Sequence, residues 1–184
     1  MLTKEEKEIL LAIARDSIEA AVNKTPYFLP SSQTPQLEEK CGAFVTLHSQ
    51  GELRGCIGYI EGIIPLMETV QEVAVKAALE DPRFDPVNAD ELENIDIEIS
   101  VLSPLKKIND VNKIEVGKHG LVIKHGYSRG LLLPQVAVEY NWDRETFLSQ
   151  TCRKAGIGAD KWKDPAIEIF IFSAEIFGEK KRNE

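Results

Sequence analysis

The sequence predicts an α+β fold, a mostly antiparallel sheet flanked by helices, and three observations predict it. Apolar residues recur at helical spacing in three separate stretches, around Leu10, Val70 and Leu148. Between them Ile95, Ile97, Ile99 and Val101 alternate with Asp96, Glu98 and Ser100, the pattern of a half-buried strand. The order of helices and strands is not a regular βαβ alternation, which disfavours a parallel sheet. A chain of 184 residues fits one domain and buries enough surface to hold a core without metal or disulfide.

Thr3-Lys4-Glu5-Glu6 has the form of a capping box, with Thr3 as N-cap and Glu6 three residues later. Leu10, Ile13, Ala14 and Ala21 then carry a first helix to about Val22. From Thr25 to Lys40, Pro26, Pro30 and Pro35 predict an extended arm that Tyr27, Phe28 and Leu29 pin to the body. Ala43 to Leu47 is read as a strand, Ser49-Gln50-Gly51 as a turn, and Leu53 to Ile60 as the hairpin partner. Pro65 opens a second helix whose apolar face is Leu66, Val70, Val73, Ala74 and Ala77. The run Asp81-Pro82-Arg83-Phe84-Asp85-Pro86 stops it and makes a rigid loop.

After the alternating strand, Pro104 ends the ladder, and segments around Leu121-Val122-Ile123 and Leu131-Leu132-Leu133 suggest a second hairpin through Gly126 to Gly130. A helix from about Asp143 to Ala155 turns Phe147, Leu148, Thr151 and Cys152 inward and stops at Gly156. Ile167, Ile169 and Ile171 form a final strand, and Lys180, Lys181 and Arg182 read as a solvated tail.

Composition narrows the function. A net charge of −8 and a pI near 5.1 argue against general nucleic-acid binding, because phosphate contacts need clustered Lys and Arg. The start lacks the apolar core of a signal peptide, and no apolar run approaches the roughly 18 residues that cross a bilayer. Three cysteines, Cys41, Cys56 and Cys152, are an odd number without regular spacing, which points to reduced thiols and a cytoplasmic protein. His48, His119 and His125 are too scattered to suggest a zinc site, and no metal or cofactor motif is present.

Leu53-Arg54-Gly55-Cys56-Ile57-Gly58 is the most informative stretch. Strand alternation puts Arg54, Cys56 and Gly58 on one face and Leu53, Ile57 and Tyr59 on the other, apolar face, which packs on the core. The first face presents a thiol beside a permanent cation, with the missing side chain of Gly58 leaving room for another group. A neighbouring guanidinium raises the thiolate fraction of a cysteine, so one reading is a cleft wall with an activated Cys56. The other is that Cys56 is a small apolar filler and the glycines are packing devices.

The hexapeptide resembles the signature of the AMMECR family. Gly42 to Thr46, Asp81 to Phe84, Ile97 to Leu102, His119 to Leu121, Gly130 to Val136 and the Cys152…Gly156 helix end also resemble family segments, in family order. The resemblance implies one AMMECR-like domain over 1–184 with a larger and a smaller lobe and the signature near the groove between them. It also implies a place as the protein A component of the prokaryotic AmmeMemoRadiSam system, whose partners are a Memo-type protein and a radical-SAM protein. This chain lacks the clustered cysteines of an iron–sulfur protein, so it is not the radical enzyme.

Two functions follow. In the first, Cys56 is a nucleophile or thiol ligand acting on a small molecule or protein, with Arg54 as electrostatic activator and His119 as base. In the second, the same groove binds a small molecule or peptide, or serves as an adaptor, and Cys56 only packs. Gly55, Gly58, Arg83, Phe84, Glu98 and Gln135 are the candidate ligand contacts. Several have plain alternatives: His119 bonding a backbone carbonyl, Glu98 solvated or paired with Arg54, Arg83 paired with Asp81 or Asp85, and Gln135 capping a turn. Cys152 is read as core, and Cys41 as a strand-start residue with no partner.

Overall fold

The computed structural model describes residues 1–31 and 34–179, so the basic run from Lys180 to Arg182 lies outside the described residues. Thr3 caps the first helix, α1 (Lys4–Val22), through a complete capping box with Glu6. The buried face of α1 carries Leu10, Ile13, Ala14 and Ile18. The arm that follows contains a one-turn helix, α2 (Pro35–Glu38), opened by its proline. Here the structure corrects the sequence reading. Phe28 is 83% exposed and pins nothing, whereas Leu29 packs against the core as expected and Leu37 of α2 is buried as well. Apolar character alone did not show which side chain of the arm turns inward.

Strands β1 (Ala43–Ser49) and β2 (Glu52–Tyr59) form the expected hairpin, with Gln50 and Gly51 at positive φ in its turn. Helix α3 (Leu66–Leu79) buries Leu66, Val70, Val73, Ala74 and Ala77, and β3 (Ile95–Leu102) follows after the proline-rich loop. Then come β4 (Lys106–Ile108), β5 (His119–His125), β6 (Ser128–Leu132), α4 (Pro134–Glu139), α5 (Arg144–Lys154) and β7 (Glu168–Gly178). Asp143 caps α5, and Gly156 takes the positive φ that ends it.

The chain divides into two compact units, Met1–Leu102 with Glu175–Glu184, and Ser103–Ala174. In the first, β1 lies between β2 and β3, antiparallel to both. Leu10, Ile13, Val45, Leu47, Val70, Val73, Ile97 and Ile99 form its core, and each such side chain contributes about 1.5–3 kcal/mol on burial. In the second, β7 pairs with β4 and β5, and β5 with β6, again antiparallel throughout. Its core joins Ile108, Leu121, Ile123, Phe147, Leu148, Cys152, Ile169 and Ile171. Among the described residues no helix is long and apolar enough to cross a membrane.

Candidate functional site

The site begins with an irregularity in β2. Ser49 pairs with Glu52 and His48 with Leu53, but Leu47 pairs with Gly55, so Arg54 is an extra residue in the strand. Such a bulge breaks strict alternation and re-aims the side chains beside it. Beyond the bulge, Gly55, Ile57 and Tyr59 lie on the core face opposite Leu47, Val45 and Ala43. Cys56 and Gly58 lie on the other face, opposite Thr46 and Phe44. Leu53 joins this second face with His48 and is 40% exposed, which corrects its assignment to the core.

Neither glycine of the motif opens space for a ligand. A Cβ on Gly55 would sit 2.2 Å from the carbonyl oxygen of Ala77, so this glycine lets α3 lie close against β2. A Cβ on Gly58 would sit 2.3 Å from the Phe44 ring, which occupies the room the sequence left open. Both positions are filled from within the fold.

Cys56 is half-buried, and two neighbours fix it. The Thr46 hydroxyl donates to Sγ at 3.2 Å, and the Cys56 backbone N–H donates to Asp81 Oδ2 at 2.9 Å. Asp81 is buried and is also the anchor of Arg83. Arg83 donates from Nε to Oδ1 at 3.0 Å, from Nη2 to Oδ2 at 2.7 Å, and from its backbone N–H to Oδ1 at 3.1 Å. The guanidinium, first, and then the backbone N–H groups of Cys56 and Arg83 hold the Asp81 carboxyl well below the usual carboxylate range, against the opposing effect of burial. A single carboxylate therefore clamps Cys56 and Arg83 side by side. Arg83 Nη2 also reaches the Cys56 carbonyl at 3.4 Å.

The pairing of Arg83 with Asp81 is one of the two acids the sequence offered. The pairing of Arg54 is different: its partner is Glu91, through Nε at 2.8 Å and Nη2 at 3.1 Å, and not Glu98. Glu91 is also the return arm of a capping box, accepting from the Asn88 backbone N–H at 3.0 Å. Both guanidiniums face the Phe84 ring, Arg83 at 5.5 Å and Arg54 at 5.9 Å from its centroid. Arg54 Nη1 is buried without a hydrogen-bond partner among the described residues. Glu98 pairs with Thr46 across β1 and β3, so Cys56, Thr46 and Glu98 form one row on the non-core face of three strands.

His119 and Gln135 belong to the second unit. His119 Nδ1 accepts from the Glu115 backbone N–H at 3.1 Å, a donor where the sequence reading had offered a backbone carbonyl. Gln135 is the second residue of α4, and its buried Oε1 lacks a partner among the described residues. Cys152 is fully buried, and burial pushes its thiol up. Burial, with Glu39 adding to it, does the same to Cys41.

Sequence reasoning missed Thr46, Glu91 and the tie between Asp81 and Cys56. The capping box Asn88-Ala89-Asp90-Glu91 was visible as a signal that Glu91 folds back, but nothing local points it at Arg54.

Comparison with known proteins places this geometry. The family profile described as AMMECR1 matches residues 11–177. The chain belongs to the AMMECR1 family. A Thermococcus gammatolerans protein is 46% identical over 94% of this chain and 90% of its own length. Protein MJ0810 of Methanocaldococcus jannaschii is 43% identical over 97% of this chain and 92% of its own. The crystal structure of the uncharacterised protein PH0010 from Pyrococcus horikoshii superposes with a TM-score of 0.89 at 41% identity, covering 97% of this chain and 94% of that one. The AMMECR1 match includes the bulged strand, the Asp81 loop and β3, and so the whole Cys56 cluster.

Proposed function

We propose that the Cys56 cluster of the first unit acts in thiol-dependent catalysis on a small molecule or protein. Cys56 is the nucleophile or thiol ligand, Arg83 receives an acidic group of the substrate, and the Phe84 ring flanks it. Arg54, held by Glu91, packs on the same ring. What carries this reading is the Asp81 clamp, in which one buried carboxylate accepts from the Cys56 backbone N–H and from a 54% exposed guanidinium, setting a cation beside the residue that bears the thiol.

The alternative is a non-enzymatic binding or adaptor module working with Memo-type and radical-SAM partners. One observation favours it: the partner the structure gives Cys56 Sγ is the Thr46 hydroxyl, a donor rather than a base.

Alkylation by iodoacetamide at neutral pH, resolved by mass spectrometry, separates the two. The standard is an unstructured peptide of residues 53–59, whose thiol keeps the free-cysteine value of about 8.5, because burial pushes the Cys41 thiol up and would make an ordinary thiol look fast beside it. The catalytic reading expects Cys56 in the folded protein to react at least about tenfold faster than that peptide thiol, because thiolate fraction sets the rate. Equal rates would remove it and leave the adaptor reading.

A further inference from the structure

A second surface of the first unit, lined by none of the residues of the Cys56 cluster, carries its own signature. Along α3 runs a groove of about 530 Å³ whose apolar lining is Leu29, Ile64 and Val75. Its charged lining is Glu68, Glu72 and Glu80 against a single ammonium, Lys76. That ammonium is already committed: Lys76 Nζ donates to Glu72 Oε1 at 2.7 Å and to Tyr59 Oη at 2.6 Å. The Tyr59 hydroxyl in turn donates to Glu72 Oε1 at 2.6 Å, closing a three-membered polar lock. Glu68, in the first turn of α3, and Glu80, at its C-cap, are both exposed, and among the described residues neither pairs with a cation.

The chain neighbours of the groove's own apolar residues are also exposed. Phe28, beside Leu29, is 83% exposed, and Ile63, beside Ile64, is 72% exposed. Large apolar side chains left in water next to an apolar-floored groove mark a contact surface rather than scattered exposure. The excess of carboxylates selects the sign of what covers it.

We propose that this groove docks a segment of a partner protein in which an apolar side chain is flanked by Lys or Arg. The apolar residue seats between Leu29, Ile64 and Val75, Phe28 and Ile63 close over it, and the flanking cations pair with Glu68 and Glu80.

The test is selection of a phage-displayed random dodecapeptide library on the intact immobilised protein, followed by fluorescence anisotropy with the enriched peptides. Enriched peptides are expected to carry an apolar residue between basic ones. They are expected to lose at least tenfold in affinity against the double variant Glu68→Lys/Glu80→Lys. The exposed control Glu139→Lys, in the second unit, should leave binding unchanged, with thermal melts confirming that both variants fold. Peptides without a basic character, or equal losses in the control, would overturn the proposal. So would concentration-dependent dimerisation in sedimentation that Phe28→Ser and Ile63→Ser abolish, because the occupant would then be a second copy of this chain.

Discussion

The first unit contains two arginine–carboxylate pairs that invert one another. In the pair of α1 with Glu179, Arg15 is the buried member: Nε donates to Glu179 Oε1 at 3.0 Å, Nη1 to the Leu92 carbonyl at 2.9 Å and Nη2 to the Ile95 carbonyl at 2.6 Å. Nη2 also meets Glu179 Oε2, so all three guanidinium nitrogens are engaged. Glu179 in turn bonds the Ile97 backbone. That cation is spent on structure, tying α1 and Glu179 to β3 and the turn before it. Beside Cys56 the carboxylate is the buried member and the guanidinium is half in water. A buried anion holding an exposed cation leaves donor capacity for a ligand, which a buried, saturated cation does not.

Removing the buried cation is the harshest way to test that contrast. Arg15→Ala leaves Glu179 and two carbonyls without their donor, and unfolding in urea is expected to show a loss of about 3–5 kcal/mol. A loss below about 1 kcal/mol would show that the pair is solvated and the contrast false. Asp81→Asn comes next, at about 2–3 kcal/mol, since one oxygen can still accept while the charge is gone. Its pH dependence has a definite sign. The folded carboxyl sits below its ordinary value of about 3.9, so its stabilisation is complete above that pH and is lost as pH falls through the folded value. The stability gap between wild type and Asp81→Asn is therefore expected to be constant near neutrality and to narrow below about pH 4. A gap that is the same at pH 2 and pH 7 contradicts the clamp.

Most of the fold was legible because its signals are local. The Thr3–Glu6 capping box, the alternation from Ile95 to Val101 and the stop at Gly156 each act within a few residues, and each appears where the pattern puts it. Helix α4 was missed: a proline followed by a short apolar run looks like a turn, although proline also suits a first helical position. The site was legible in kind but not in register. Counting back from the Ser49–Glu52 pair places Thr46 opposite Gly55. The bulge at Arg54 moves it opposite Cys56 and turns Leu53 out of the core. One inserted residue changes which side chains meet, and no periodicity announces it. Likewise Phe44 fills the gap at Gly58 because cross-strand pairing places it there, a consequence of the same register.

The mildest substitution is the most informative about the thiol. Arg83→Ala removes a guanidinium that is 54% exposed, so solvent replaces much of what is lost, and the expected cost is about 1 kcal/mol. The Asp81 carboxyl loses the group that lowers it most, while the backbone N–H groups of Cys56 and Arg83 remain. Its titration, followed by carbon NMR, is expected to move up toward the ordinary range without reaching it. If the clamp exists to set Cys56 beside a cation, alkylation of Cys56 at neutral pH slows by about tenfold in this variant while Cys41 is unchanged. If Asp81 shifts and the thiol rate does not, the carboxylate is organising the loop alone. Arg83 is then a ligand contact without a part in the chemistry of Cys56, and the exposed pair differs from the buried one only in what it can bind.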